Sequence, residues 1–266
     1  MKIKVLMENT VYSADYHAEH GLSLYLEACG RRILFDMGQS GAFAENAEKL
    51  GVDLADIDLA ILSHGHYDHG GGLRTFLAAN DHAPVYVSRF AFEHHGNAAG
   101  KDIGLDPELA AAPQLVFTDD HFLVSEGLEL FSCNGLDCEV PIDPAGLSAV
   151  RNGKKMPEDF RHEQYLLIQE HEKRILISGC SHKGIVNLTH WFEPDVLIGG
   201  FHFMKVDPAG PEKKVLDDTA FRLMHHHTVF YTCHCTGTVQ YEYLKKLMKT
   251  QLSYLSCGQT VEIGRC

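Results

Sequence analysis

The run Ser63-His64-Gly65-His66-Tyr67-Asp68-His69 constrains this chain more than any other feature. It follows Leu59-Ala60-Ile61-Leu62, a short continuous apolar stretch that reads as a strand buried on both faces, and it precedes the turn Gly70-Gly71-Gly72. Three histidines and an aspartate at a strand end can aim four donors at one point. Imidazole nitrogens and carboxylates are the ligands that borderline ions such as zinc, manganese and iron accept, and alternate residues can divide between two adjacent ions. A solvated polar loop has no need of that composition.

The rest of the chain alternates strands and helices. Residues 1–7 alternate, and Gly21–Ala28 with Arg32–Asp36 reads as a hairpin turned at Gly30. Ala42–Leu50 has helical spacing closed by Gly51, Leu73–Ala79 suits a helix, and Pro84–Val87 reads as a strand before a helix carrying His94 and His95 on its surface, with reach into a cleft as their alternative. A second hairpin spans Glu163–Gln169 and Arg174–Ser178 and ends on Gly179-Cys180-Ser181-His182. Asp195–Gly200 and Thr228–Thr232 are strands followed by His202 and His234, and Val239–Gln251 is a helix. Gly96–Pro113 and Gly146–Pro157 lack periodicity and read as loops or insertions near a site. These elements predict an α/β chain with 1–266 as a single domain.

Composition is that of an ordinary globular protein except for its 18 histidines, many of them clustered. A formal net charge of −13 with no Lys/Arg-rich run argues against nucleic acid as a partner. The first residues contain no apolar signal-peptide core, and no apolar run is long enough to span a bilayer, so a cytoplasmic protein without a membrane partner is expected. In that setting the eight scattered cysteines are expected to be thiols. Cys180, Cys233 and Cys235 lie beside histidines at strand ends, and strand alternation would turn Cys233 and Cys235 into the core, away from His234. His225-His226-His227 read as a solvated helix end. Lys183 is open between an anionic-substrate contact and a solvated lysine.

The chain resembles the metallo-β-lactamase superfamily, whose signature is H-x-H-x-D-H at the end of a buried strand. Glu19–Ser23, Leu34–Gly38, Ser63–Leu73, Gly179–Asn187, Gly199–Phe203 and His234–Gly237 resemble the branch that includes dihydropterin phosphate synthase-like proteins. The resemblance implies an αββα sandwich of two mixed β-sheets flanked by helices, with two divalent metal ions, zinc before manganese or iron, in a cleft at its edge. It implies His64 and His66 as ligands of the first ion, Asp68 and His69 of the second, and His234 completing the second site. Where most of the superfamily has a bridging aspartate this chain has Cys180, whose thiolate softens the site and favours zinc. His182 and His162 both remain open as the last ligand of the first site; His182 is preferred, and His162 reads as a surface loop residue. His202 is an outer contact to a ligand or to a phosphate.

The implied activity is hydrolysis of a phosphoester, ester or lactone of a small, anionic metabolite by a hydroxide shared between the ions, with Asp68 and His202 as catalytic residues. Condensation of a pterin precursor with a phosphorylated ribosyl-aminobenzene is the branch variant. The alternative is a metal- or metabolite-binding redox or sensor protein without hydrolase activity. The chain has no HxExD run and no residues to spare for a flavin domain, which argues against electron transfer.

Overall fold

A computed structural model describes residues 1–264. The expected Cys266 thiol lies outside them; the seven described cysteines are all free. Two seven-stranded sheets stack face to face. The first runs Thr260–Glu262, Lys2–Met7, Ser23–Ala28, Arg31–Phe35, Leu59–Ile61, Val85–Ser88, Leu115–Thr118, and the second runs Leu252–Tyr254, Val229–Thr232, Val196–Ile198, Lys173–Ile177, Tyr165–Glu170, Leu128–Phe131, His121–Ser125.

Alternate side chains of each strand face opposite layers, which is why central strands such as Leu59–Ile61 and Val196–Ile198 are apolar throughout. Leu166 and Ile168 join Ile3, Phe35 and Ile61 in the core between the sheets. Tyr165 and Leu167 point the other way and pack with Leu188, Leu216 and Leu244 of the helices Ile185–Phe192, Lys213–Leu223 and Thr238–Met248. On the far side Leu34, Ala60 and Val85 meet Phe43 and Ala47 of Ala42–Lys49 and Phe76 of Leu73–Ala79. The layers are therefore α, β, β, α. No helix among the described residues is long and apolar enough to cross a membrane.

Both sheets place parallel strands at one edge. Arg31–Phe35 pairs parallel with Leu59–Ile61, and Lys173–Ile177, Val196–Ile198 and Val229–Thr232 are mutually parallel. Their carboxyl ends are adjacent, which collects Asp36, the His64–His69 run, Cys180, His202 and His234 at one rim of the sandwich. Open α/β sheets bind ligands at such ends.

Two expectations fail here. His94 and His95 are not helical: His94–Gly96 is a strand, paired with Ser148–Arg151, which pairs in turn with Lys154–Pro157. The supposed loop 146–157 is thus mostly a hairpin, and its Gly153 turn at φ 73° supplies the left-handed residue the reversal needs. Pairing across this third small sheet sends His95 inward while His94 stays exposed, a long-range effect that local propensity does not carry.

Candidate metal centre

Ser63 begins the site by tying the two parallel strand ends together. Its N–H donates to Asp36 Oδ1 and its hydroxyl to Asp36 Oδ2, both at 2.7 Å. Asp36 Oδ2 also accepts from His69 Nδ1 at 2.7 Å, which leaves His69 Nε2 to face the cleft. His64 Nδ1 lies 2.8 Å from the Ser63 hydroxyl, so the free nitrogen of that ring is Nε2 as well. Gly65 permits this packing: a Cβ there would stand 2.1 Å from the Ala91 carbonyl oxygen.

A second set of bonds aims His234. Its Nδ1 lies 2.8 Å from Asn9 Oδ1, and its backbone N–H donates to Glu8 Oε1 at 2.7 Å. Asn9 Oδ1 also accepts from Gly21 N–H, which fixes which end of that amide is oxygen. The other end, Nδ2, therefore donates to His20 Nδ1 at 3.3 Å, and His20 Nε2 sits 3.2 Å from Asp68 Oδ2. A single asparagine thus sets the tautomers of two histidines.

The freed donors converge. His69 Nε2 is 3.2 Å from His234 Nε2 and 3.2 Å from Cys180 Sγ, while Asp68 Oδ2 is 3.3 Å from His234 Nε2 and 3.8 Å from His69 Nε2. Ligands about 2.0–2.3 Å from a common tetrahedral centre stand roughly 3.3–3.7 Å apart, so this spacing fits a divalent ion. His64, His66 and His182 form a neighbouring cluster whose donor atoms lie within 4.8 Å of one another, and His64, His69 and Cys180 form a further one joining the two. His64 Nε2 and both nitrogens of His182 are buried without a hydrogen-bond partner. Buried polar atoms are otherwise paired almost without exception, so these orphans fit the role of ligands to a cation.

The electrostatics agree with the same division. Burial, then the neighbouring histidines, holds His64 and His182 well below the usual imidazole range, which leaves their lone pairs available. Burial also pulls His69 down, but the Asp36 and Asp68 carboxylates outweigh it and raise it to about 9. In the metal-free chain a proton on His69 takes up part of the negative charge. Burial pushes the Cys180 thiol well up, so its thiolate needs a cation beside it.

His182 stacks on Phe160 with centroids 4.3 Å apart, while its backbone N–H donates to buried Glu163 at 2.9 Å. His202 lies at the mouth of the same cluster, its ring 4.4 Å from that of His182. Asp36, Phe160, Ser181, His202 and His234 all have positive φ without being glycine, a concentration of backbone strain at the site.

Every residue expected at the site lies at this rim, with three expectations corrected. His162 is not a surface residue but fully buried, its Nδ1 accepting from Gly65 N–H at 2.9 Å. Cys235 does not turn away: residues 234–236 form a 3-10 turn, strand alternation lapses, and its sulfur comes within 4.8 Å of donor atoms of Cys180 and His234. Lys183 is neither solvated nor open to substrate, since its ammonium is buried against the carbonyls of Phe160 and Glu163. His225–His227 do follow a helix end, with His225 and His227 exposed. Glu8, Asn9 and Glu158 carry no signal in the sequence, while the inward His95, through its clustering with His94, reads there as a cleft residue second to a helix surface.

Fold and site together define an α/β sandwich with a candidate metal centre at its rim, and comparisons with known proteins name its class. Residues 18–144 match the family described as the Metallo-beta-lactamase superfamily. The chain is 30% identical to protein MJ0448 of Methanocaldococcus jannaschii, over 77% of this chain and 80% of that one. It is 26% identical to the 7,8-dihydropterin-6-methyl-4-(beta-D-ribofuranosyl)-aminobenzene-5'-phosphate synthase of the same organism, over 98% and 96%. The solved structure of Tm1679, a metal-dependent hydrolase of the beta-lactamase superfamily, superposes with a TM-score of 0.82 at 26% identity, covering 100% of both chains. The chain belongs to the metallo-β-lactamase superfamily.

Proposed function

We propose that this protein is a dinuclear metal-dependent hydrolase acting on a small anionic metabolite, a phosphoester, ester or lactone. The observation that carries the reading is the pair of adjoining donor clusters, His64/His66/His182 and Asp68/His69/His234, with Cys180 against both. Zinc is the ion this imidazole and thiolate set favours. A cytoplasmic location belongs to the same proposal, because Cys180 must stay reduced to serve as a ligand.

Bound there, two divalent ions would polarise a substrate oxygen and make a shared water acidic near neutral pH. The chain's own residues set the direction of attack. Asp68, held by His20 Nε2–H, presents its carboxylate at the junction, where it can orient the water and take its proton. His202, at the mouth, is placed to donate a hydrogen bond to a phosphate or leaving-group oxygen. The dihydropterin-related synthase among the relatives supports including phosphorylated pterin precursors among the substrates, for condensation as well as hydrolysis.

The test is turnover of the zinc- and manganese-loaded chain on a panel of phosphoesters, lactones and pterin phosphates. Metal-dependent turnover that disappears in His64→Ala is expected. A chain that binds ions yet turns over no member of the panel would favour the sensor reading instead.

A further inference from the structure

Outside the two clusters, His95, Glu158 and His162 are buried acid and imidazole groups with no assigned task. All three come from the small sheet or the segment that follows it, and one donor atom from each lies within 4.8 Å of the others and of His66. Three imidazoles and a carboxylate are also what another cation would ask for, so the hydrogens decide. Gly65 N–H donates to His162 Nδ1 at 2.9 Å, which puts the lone pair there and the ring proton on Nε2. That Nε2–H lies 3.8 Å from Glu158 Oε1, beyond hydrogen-bond reach, and is buried without a partner.

The other carboxylate oxygen, Glu158 Oε2, is 2.8 Å from His95 Nδ1. This is a charge-assisted hydrogen-bond length, shorter than the roughly 3.3 Å at which two ligands of one ion stand apart. It places the His95 proton on Nδ1 and the lone pair on Nε2. His95 Nε2 and His66 Nε2 are both buried without partners, and the two rings meet edge to face with centroids 5.5 Å apart.

We propose that His95, oriented by Glu158, is a positioning residue: in the metal-loaded chain its Nε2 accepts the Nε2–H of His66, its buried and otherwise unpartnered neighbour, and commits the His66 lone pair to Nδ1, toward the first ion. His162 is then the anchor of this strap and His182 closes the first site. The inference rests on the metal-centre reading above. Outer partners of ligand histidines contribute about 10–100-fold in metal affinity.

The experiment measures zinc stoichiometry and affinity by chelator competition on the full chain, for wild type, His95→Phe and Glu158→Gln. A nitrogen-15 NMR spectrum of the zinc-loaded wild type reports the histidine tautomers. Two ions in the wild type are expected, with one bound about 10–100-fold more weakly in His95→Phe and the other unchanged. Glu158→Gln, which keeps an acceptor for His95, falls between. The spectrum should show His66 metal-bound through Nδ1 and His162 protonated on Nε2, a readout that stands even if His95→Phe does not fold. A third ion lost in Glu158→Gln, a metal-bound His162, or unchanged affinities in His95→Phe would overturn the proposal. A wild type that binds no ion would instead refute the metal centre itself.

Discussion

Replacing Asp36 by asparagine isolates what holds the second cluster together. Asp36 is fully buried and accepts from Ser63 N–H, Ser63 Oγ–H and His69 Nδ1. An asparagine has one acceptor oxygen for these three donors, so at least one faces its NH2 group, at a cost of about 1–3 kcal/mol. The charge matters too. His69 is raised from 6.5 to about 9, with Asp36 the first of the groups raising it. At about 1.4 kcal/mol per unit that shift stabilises the metal-free fold by roughly 3 kcal/mol, of which Asp36, ahead of Asp68, accounts for about 2 kcal/mol. Because the folded value is raised, this stabilisation is fully present below the unfolded value and is lost as pH rises through about 9. Urea unfolding of metal-free Asp36→Asn should therefore show a deficit of about 3–5 kcal/mol near pH 6. Above pH ~10 the deficit should shrink to about 1–3 kcal/mol, the hydrogen-bond part alone. A deficit under about 1 kcal/mol near pH 6, or one that does not change with pH, would refute the assignment of His69 as an imidazolium held by Asp36.

Three further outcomes follow from the same geometry. Gly179→Ala would place a Cβ 2.2 Å from Ser63 Oγ and 3.2 Å from His64 Nδ1, so it should cost about 1–3 kcal/mol in urea unfolding and lower zinc affinity together. Asn9→Leu removes the acceptor for His234 Nδ1 and the donor to His20; chelator competition should find the second ion about 10–100-fold weaker with the first unaffected. Stripping the ions should lower the thermal midpoint, since zinc held at about a thousandfold excess over its dissociation constant stabilises by roughly 4 kcal/mol.

The sandwich was legible because its central strands are buried on both faces and so read as unbroken apolar runs, Leu59–Leu62 and Ile175–Ile177 among them. The ligand run was legible because its donors are close in sequence. What the sequence hid depends on distance along the chain. Asn9 and His234 are 225 residues apart, and Glu158 reaches His95 only because a hairpin pairs Ser148–Arg151 with His94–Gly96. Cys235 was misplaced for a local reason, the 3-10 turn that replaces strand alternation after Cys233. Lys183 stayed open between a substrate contact and a solvated lysine because its burial under Phe160 and Glu163 is set by tertiary packing.

The most direct test of the metal centre is elemental mass spectrometry on tag-free protein, wild type beside Cys180→Ala and His182→Ala. The account predicts about two zinc, manganese or iron ions per chain, with fewer in both variants. Less than about half an ion per chain in every metal supplement, or a full complement retained in both variants, would contradict it.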